Sequence, residues 1–205
     1  MKLVETGFRP CFGQFAAFEV PPEVQKRIRP GKKVADCLLT WGYLDREGTP
    51  TLQVLCAGSR AGTLYHFEEE VQAGEPVRLE AREAAQFPYE CFASQKAYFE
   101  RRFSDMLART REEVSEQLQQ LRSMELLDES RDVDSFDVVR VELLGGNRGT
   151  EVCRVRLTGL GETWIEGVLL EEPSQDLGCH RGETLGVFLQ DTQEGIRAFS
   201  DVTPK

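Results

Sequence analysis

Between residues 136 and 158 apolar and polar side chains alternate on both sides of a glycine-rich break, and this pattern constrains the fold more than any other feature. Side chains on a strand point alternately to its two faces. Val139, Val141 and Leu143 therefore share one face of a strand, and Cys153, Val155 and Leu157 share one face of its partner. Gly145-Gly146-Asn147-Arg148-Gly149 supplies the turn, because glycine and asparagine tolerate positive φ. Arg154 and Arg156 point the other way, beside Glu142 in a suitable register. One buried face and one wet face suit an antiparallel sheet. Three more strands are expected near 163–170, 184–190 and 195–200.

The N-terminal part reads similarly. A strand over 12–20 is stopped by Pro21-Pro22, since proline removes a ladder donor and fixes φ. A helical turn at 23–29 closes at Pro30-Gly31. Residues 34–44 and 52–57 flank the turn Asp45-Arg46-Glu47-Gly48 and predict a hairpin. Strands near 63–68 and 76–82 follow, separated by Gly74-Glu75-Pro76.

From Phe92 to Leu121 the period changes. Phe92, Phe99, Phe103, Met106, Leu107, Val114, Leu118 and Leu121 recur at helical spacing. The pattern predicts one amphipathic helix, starting at Ser94 or at Pro88. A helix of about 30 residues would be about 45 Å long. It either spans both β segments or pairs with a second copy, giving a homodimer through the helix. The expected fold class is thus α+β, with two antiparallel β-rich modules (1–86 and 133–205) joined by a long amphipathic helix (87–127). Gly48-Thr49 aligns with Gly149-Thr150 and, at the same offset, Gly58 with Gly159; Gly74-Glu75 matches Gly182-Glu183 after a short insertion. Two related modules are one explanation, and the reuse of glycine in turns is the other.

Composition narrows the function classes. The chain has 205 residues, 40% of them hydrophobic and 29% charged, enough for one large domain or two small ones. Its formal charge of -10 disfavours nucleic acid, whose affinity comes from neutralised phosphates. The densest basic run, Arg101, Arg102, Arg109 and Arg111, alternates with Glu100, Asp105, Glu112 and Glu113 and reads as a solvated face. No apolar stretch follows Met1-Lys2 and none is long enough to span a bilayer, so a cytoplasmic protein without membrane contact is expected. The six cysteines sit mostly in apolar runs without CxxC spacing and read as buried thiols.

The segment 162–183 carries Trp164, Gly167, Leu169 and Pro173, then Asp176, Gly178, His180 and Gly182. It resembles a bacterial family of uncharacterised domains with the pattern W-x-x-G-x-L-x-x-x-P followed by D-x-G-x-H-x-G-E. The resemblance covers about 40 residues and implies a C-terminal fold unit with no assigned chemistry.

The same segment reads as strand, exposed loop, strand, and loops on rigid sheets are where sites gather. Trp164, Glu172, Asp176 and His180 are the candidate ligand-binding residues. Asp176 with His180 could ligate a metal, but the chain has two histidines, and an Asx-type turn at Asp176 is the plainer reading. Cys179-His180 as thiolate and base is opposed by their adjacency, which sends them to opposite sides. For Trp164 the plainer reading is sheet core, and for Glu68-Glu69-Glu70, which could also bind a cation or a basic partner, it is a solvated turn. Phosphate-loop, dinucleotide, HExxH, GxSxG and EF-hand patterns are absent from the sequence. No catalytic residue and no cofactor is expected. The leading expectation is a non-catalytic binding or protein-interaction module with a protein or small-molecule partner. The alternative is a hydrolase or metal-binding enzyme using the Asp176–His180 loop.

Overall fold

Among the described residues strands hold 40% and helical segments 24%, so sheets set the architecture. The computed structural model describes residues 1–70, 76–110, 113–193 and 195–203. Two compact units follow one another, Met1–Glu112 and Glu113–Lys205.

In the first unit α1 (Leu3–Thr6) precedes β1 (Phe15–Phe18), and Pro22 opens α2 (Pro22–Ile28), where a missing N–H costs no helical bond. The predicted hairpin forms as β2 (Cys37–Leu44) and β3 (Pro50–Ala61), with Leu38 opposite Ala57. Then come β4 (Leu64–Glu70), β5 (Arg78–Glu80) and β6 (Tyr89–Cys91). The strands order as β4-β3-β2-β1-β6, with β5 also on β3, in a half-barrel. Phe15, Leu39, Leu55, Phe92, Phe99 and Phe103 fill its core. Glu68-Glu69-Glu70 ends β4 rather than forming a turn. Gly74-Glu75 lies outside the described residues, as do Arg111 and Glu112.

The expectation of an α+β protein built on one long amphipathic helix is overturned. The segment forms α3 (Lys96–Arg102) and α4 (Ser104–Ala108) in the first unit and α5 (Glu116–Ser123) in the second. Phe103, at φ -112° and ψ 22°, separates α3 from α4. Ser115 starts α5 afresh, its Oγ accepting the Leu118 N–H at 3.2 Å. The reason is that the apolar face serves two cores. Phe99, Phe103 and Leu107 pack in the half-barrel, whereas Leu121 packs in the second unit. The helical seam expected to carry a homodimer is therefore not one surface. Ser94 lies in a 3-10 turn, Ala93–Gln95, and Pro88 precedes β6, so neither starts a long helix.

The second unit is a closed five-stranded barrel: β7 (Val138–Leu144), β8 (Thr150–Leu160), β9 (Ile165–Leu169), β10 (Thr184–Thr192) and β11 (Gly195–Asp201). Successive strands pair antiparallel. In an up-and-down chain of five, the first and last strands run the same way. Closure therefore takes a parallel pair, β11 on β7, with Ala198 opposite Val141. Closure also removes the exposed sheet edge. Val139, Val141, Leu143, Cys153, Val155 and Leu157 all face the interior, as the alternation predicts. Gly167 lets two strands approach, since a Cβ there would lie 2.4 Å from Val155 Cγ1. Leu121 and Leu127 join the core from α5 and a 3-10 turn, Glu125–Ser130; Leu177 and Cys179 join it from the loop after β9. Gln117 meets Gly159 near the end of β8, whereas Leu177 meets Gly145 before its start, so the two plugs sit at opposite mouths.

The two hairpin turns are closed alike but built differently, the second through a 3-10 turn, Gly146–Arg148, with Gly146 also at positive φ (61°). Gly48 and Gly149 both have positive φ (79° and 102°), and the amides of Asp45 and Gly145 bond to Thr49 O and Gly149 O. The sheets they enter differ, one open and one closed.

Candidate functional site

Of the four residues singled out in the sequence, two meet. His180 Nδ1 lies 2.7 Å from Glu172 Oε1, and the Arg181 N–H donates to Glu172 Oε2 at 2.9 Å. The His180 bond and charge, with the Arg181 amide, hold the Glu172 carboxyl below the usual range; the same bond pushes the His180 imidazole up. Asp176 instead pairs with Arg148 at 3.2 Å. Trp164 sits just before β9 and the loop follows β9, so the strand's length separates them.

The loop is pinned to the barrel. Glu151 accepts the amides of Ser174 and Gln175 and the Ser174 hydroxyl, at 2.9, 3.1 and 2.9 Å. Glu171 accepts the Arg154 N–H at 2.7 Å. Pro173, Leu177 and Cys179 turn inward while Glu172, Asp176 and His180 stay out, so the loop is built as a stopper. Burial raises the Cys179 thiol, on the opposite side of the chain from His180. Among the described residues no three His, Cys, Asp or Glu side chains gather as a metal site. The Glu172–His180 pair can relay a proton, but both side chains stand more than half exposed.

The barrel's outer wall carries a different arrangement. Phe188 on β10 is opposite Phe199 on β11, which is opposite Glu142 on β7, which is opposite Val152 on β8. One step beyond Val187↔Ile165, the register places Trp164 opposite Phe188. Trp164 is 40% exposed and Phe188 45%, and Phe199 is half-buried. The indole lies over two glycines: a Cβ on Gly161 would come within 2.6 Å of it, and one on Gly186 within 3.5 Å. Trp164 is thus wall rather than core.

A second row runs beside the first. Gln190 is opposite Arg197, and Arg140 is opposite Arg154. One step before Ala198↔Val141, Arg197 stands opposite Arg140. Three arginines therefore cross β11, β7 and β8 side by side, about 7 Å from the aromatic row at two residues' rise. A groove of about 310 Å³ opens here, lined by Arg140, Arg197, Glu129, Glu142, Ser130 and Val152 among others. Sequence reasoning missed Phe188, Phe199, Arg140 and Arg197. The signal available was the odd-even alternation of 184–190 and 195–200, but lateral rows need the register, which the sequence does not contain.

The first unit has a cleft of about 420 Å³ walled by Tyr65 and Phe67 of β4, Phe92, and Tyr98, Phe99 and Arg102 of α3. Its rings pack on one another, Tyr65 edge-on to Phe92 at 5.2 Å, and Arg102 donates to Phe67 O at 3.1 Å. It is continuous with the core beneath.

No protein-family model, no curated protein and no solved structure matches the chain. No helix among the described residues is long and apolar enough to cross a membrane.

Proposed function

We propose that this chain is a non-catalytic binding module that presents the outer wall of its C-terminal barrel to a partner. The row Trp164–Phe188–Phe199 carries the reading. Large rings left on a wall, over glycines that keep it flat, lose the burial that the filled interior gives other apolar residues, and regain it when a partner covers them. The similarity of 162–183 to uncharacterised bacterial domains fits this reading. Its marked positions do structural work here: Gly167 in the strand approach, Leu169 in the core, Gly178 and Gly182 at positive φ in the stopper. A cytoplasmic setting is supported by the free state of all six thiols. The net charge of -10 argues against nucleic acid as the partner.

A hydrolytic or metal-dependent role would have to run through Glu172 and His180, the one proton-relay pair in the loop. The stopper role of that loop makes it the weaker reading.

Native mass spectrometry of freshly purified wild type and Trp164→Ala/Phe188→Ala tests the binding module. A retained mass present in the first and lost in the second is the expected result. A retained mass that survives the double variant, but leaves with His180→Ala, would transfer the site to the loop.

A further inference from the structure

Two of the six thiols meet in the first unit. Cys11 ends the 3-10 turn Arg9–Cys11, and Cys91 ends β6. They are distant in sequence, and β1 brings them together. It pairs with β6, Ala16 opposite Cys91, and the chain just before it turns at Gln14, whose N–H bonds to Cys11 O at 3.0 Å. The Cys91 thiol donates to Pro10 O at 3.3 Å, one residue from Cys11. The Cys11 thiol in turn bonds to the Cys91 sulfur.

The pair is unequal. Cys11 is fully buried, whereas Cys91 is partly exposed. A line of hydrogen bonds leads to Cys91. Thr6 Oγ1 lies 2.7 Å from the Tyr89 hydroxyl, that hydroxyl bonds to the Cys11 sulfur, and the Cys11 thiol bonds to Cys91. Each donor in such a chain polarises the next. The charge of a thiolate is therefore held at Cys91, and Cys11 keeps its proton beside it. Two thiols that met only to fill a core would lack this division. A partly exposed, easily ionised thiol next to a protonated, enclosed one is the arrangement of a reacting cysteine with its resolving partner.

We propose that Cys91 and Cys11 form a reversible dithiol–disulfide site oxidised by a hydroperoxide, Cys91 reacting first and Cys11 closing the bond. The Cys91 thiolate sulfur attacks the terminal peroxide oxygen. An S–O bond forms, the O–O bond breaks, and the leaving oxygen takes a proton to become water, or an alcohol when the peroxide is organic. Cys91 is then a neutral sulfenic acid and no longer the charge that holds the proton on Cys11. The Cys11 sulfur attacks the Cys91 sulfur; the S–S bond forms, the S–O bond breaks, and the Cys11 proton leaves with the hydroxyl as water. Each sulfur gives up one electron, and the two together reduce the peroxide bond. A thiol reductant reverses the step by exchange. The disulfide fastens the N-terminal segment to β6, where the Tyr89 N–H already bonds to Met1 O at 2.9 Å. The site lies within the first unit and is independent of what the barrel wall binds.

The test takes the full chain, reduced with dithiothreitol and desalted, and treats it briefly with hydrogen peroxide at neutral pH. Remaining thiols are alkylated in denaturant, and peptides are mapped without reduction. The expected result is a Cys11–Cys91 cross-link with the other four cysteines alkylated, and all six thiols regained on renewed reduction. Cys11→Ala should leave on Cys91 a sulfenic acid that dimedone traps. Cys91→Ser should slow the loss of thiols to peroxide by about tenfold or more. The cross-link is read in wild type, so the outcome does not depend on either variant folding. A cross-link between another pair, a Cys91 that oxidises while Cys11 stays open to alkylation, or peroxide that leaves all six thiols free overturns the proposal.

Discussion

Arg122 on α5 and Asp137, just before β7, form a two-point ion pair, Nε to Oδ1 at 2.9 Å and Nη2 to Oδ2 at 2.6 Å, with side chains only 6% and 7% exposed. The pair ties α5 to the barrel mouth. Removing either member breaks this buried ion pair from one side, which costs about 3–5 kcal/mol. Arg122→Ala and Asp137→Ala are each expected to lower the stability of the second unit by that much in urea unfolding. The double replacement Arg122→Met/Asp137→Leu should recover most of it, because no lone charge then remains.

Gly42 on β2 touches backbone, and this sets a second test. A Cβ there would lie 2.1 Å from the carbonyl oxygen of Cys11 and 2.8 Å from its carbonyl carbon. No side-chain rotation relieves a clash with a peptide group, so the N-terminal segment must shift and lose the Gly13 N–H bond to Gly42 O. Gly42→Ala is expected to destabilise the first unit by at least the ~1–3 kcal/mol typical of overpacking, read as a fall in its thermal midpoint. An unchanged midpoint would mean that the two segments do not meet this closely.

Cys91 should be the first thiol to react. It is half-buried, and the bond from the Cys11 thiol lowers its pKa, while Cys11 itself is pushed far up. Burial pushes Cys37 and Cys153 up to about 11. The thiolate is the nucleophile, so lowered pKa and access act together. Brief treatment of the native protein with iodoacetamide at neutral pH, followed by peptide mapping, is expected to find the label on Cys91 ahead of the other five. Labelling that begins at Cys37 or Cys153 would contradict the packing described.

What could be read from the sequence depended on whether a residue's role was local. The β7–β8 hairpin was legible because its alternation and its glycine turn act within about 20 residues, and Val141 indeed faces the interior opposite Cys153. The long helix was misread because Phe99, Phe103, Leu107, Leu118 and Leu121 keep helical spacing across a division between two cores. Periodicity reports that a face is apolar, not which core receives it. Ser115, three residues before Leu118, was the one local sign of a restart. In the candidate site, Glu172 and His180 were legible as loop polar residues, but Asp176 turned to Arg148, a partner 28 residues away. The two rows on the wall were illegible, since they arise from strands brought side by side by closure.

The Glu172–His180 contact makes a pH prediction. His180 is raised above its ordinary 6.5, so its contribution to holding the loop is complete below that value and is lost as pH rises through the raised one. Glu172 is lowered below its ordinary 4.5, so its contribution is complete above that value and is lost as pH falls through the lowered one. The contact is therefore at full strength between about pH 4.5 and 6.5. An NMR titration should give a His180 midpoint above 6.5. Glu172→Gln should bring it down, because it removes the charge and weakens the bond. A midpoint indifferent to that substitution would show that the two side chains do not pair in solution.

Residues 113–205 should fold alone, and residues 133–205 should not. The barrel's interior is filled from within the second unit, including Leu121, at 1% exposure, and Leu127, at 0%. Both lie upstream of residue 133. Arg131 adds a second tie across the same stretch, its Nη2 donating to the carbonyls of Leu121 and Met124 at 2.8 and 3.2 Å while its guanidinium lies 4.0 Å over the Phe136 ring. Cutting at 133 removes the plug at one mouth, leaves Asp137 without Arg122 and opens the core to water. Emptying a core site of one leucine costs about 2–5 kcal/mol, and two such losses with a broken buried ion pair exceed the stability of a small domain. Proton-nitrogen correlation spectra of the two fragments decide the matter. Dispersed amide signals are expected from 113–205 and collapsed ones from 133–205; dispersion in the shorter fragment would mean that the strands close without their plug.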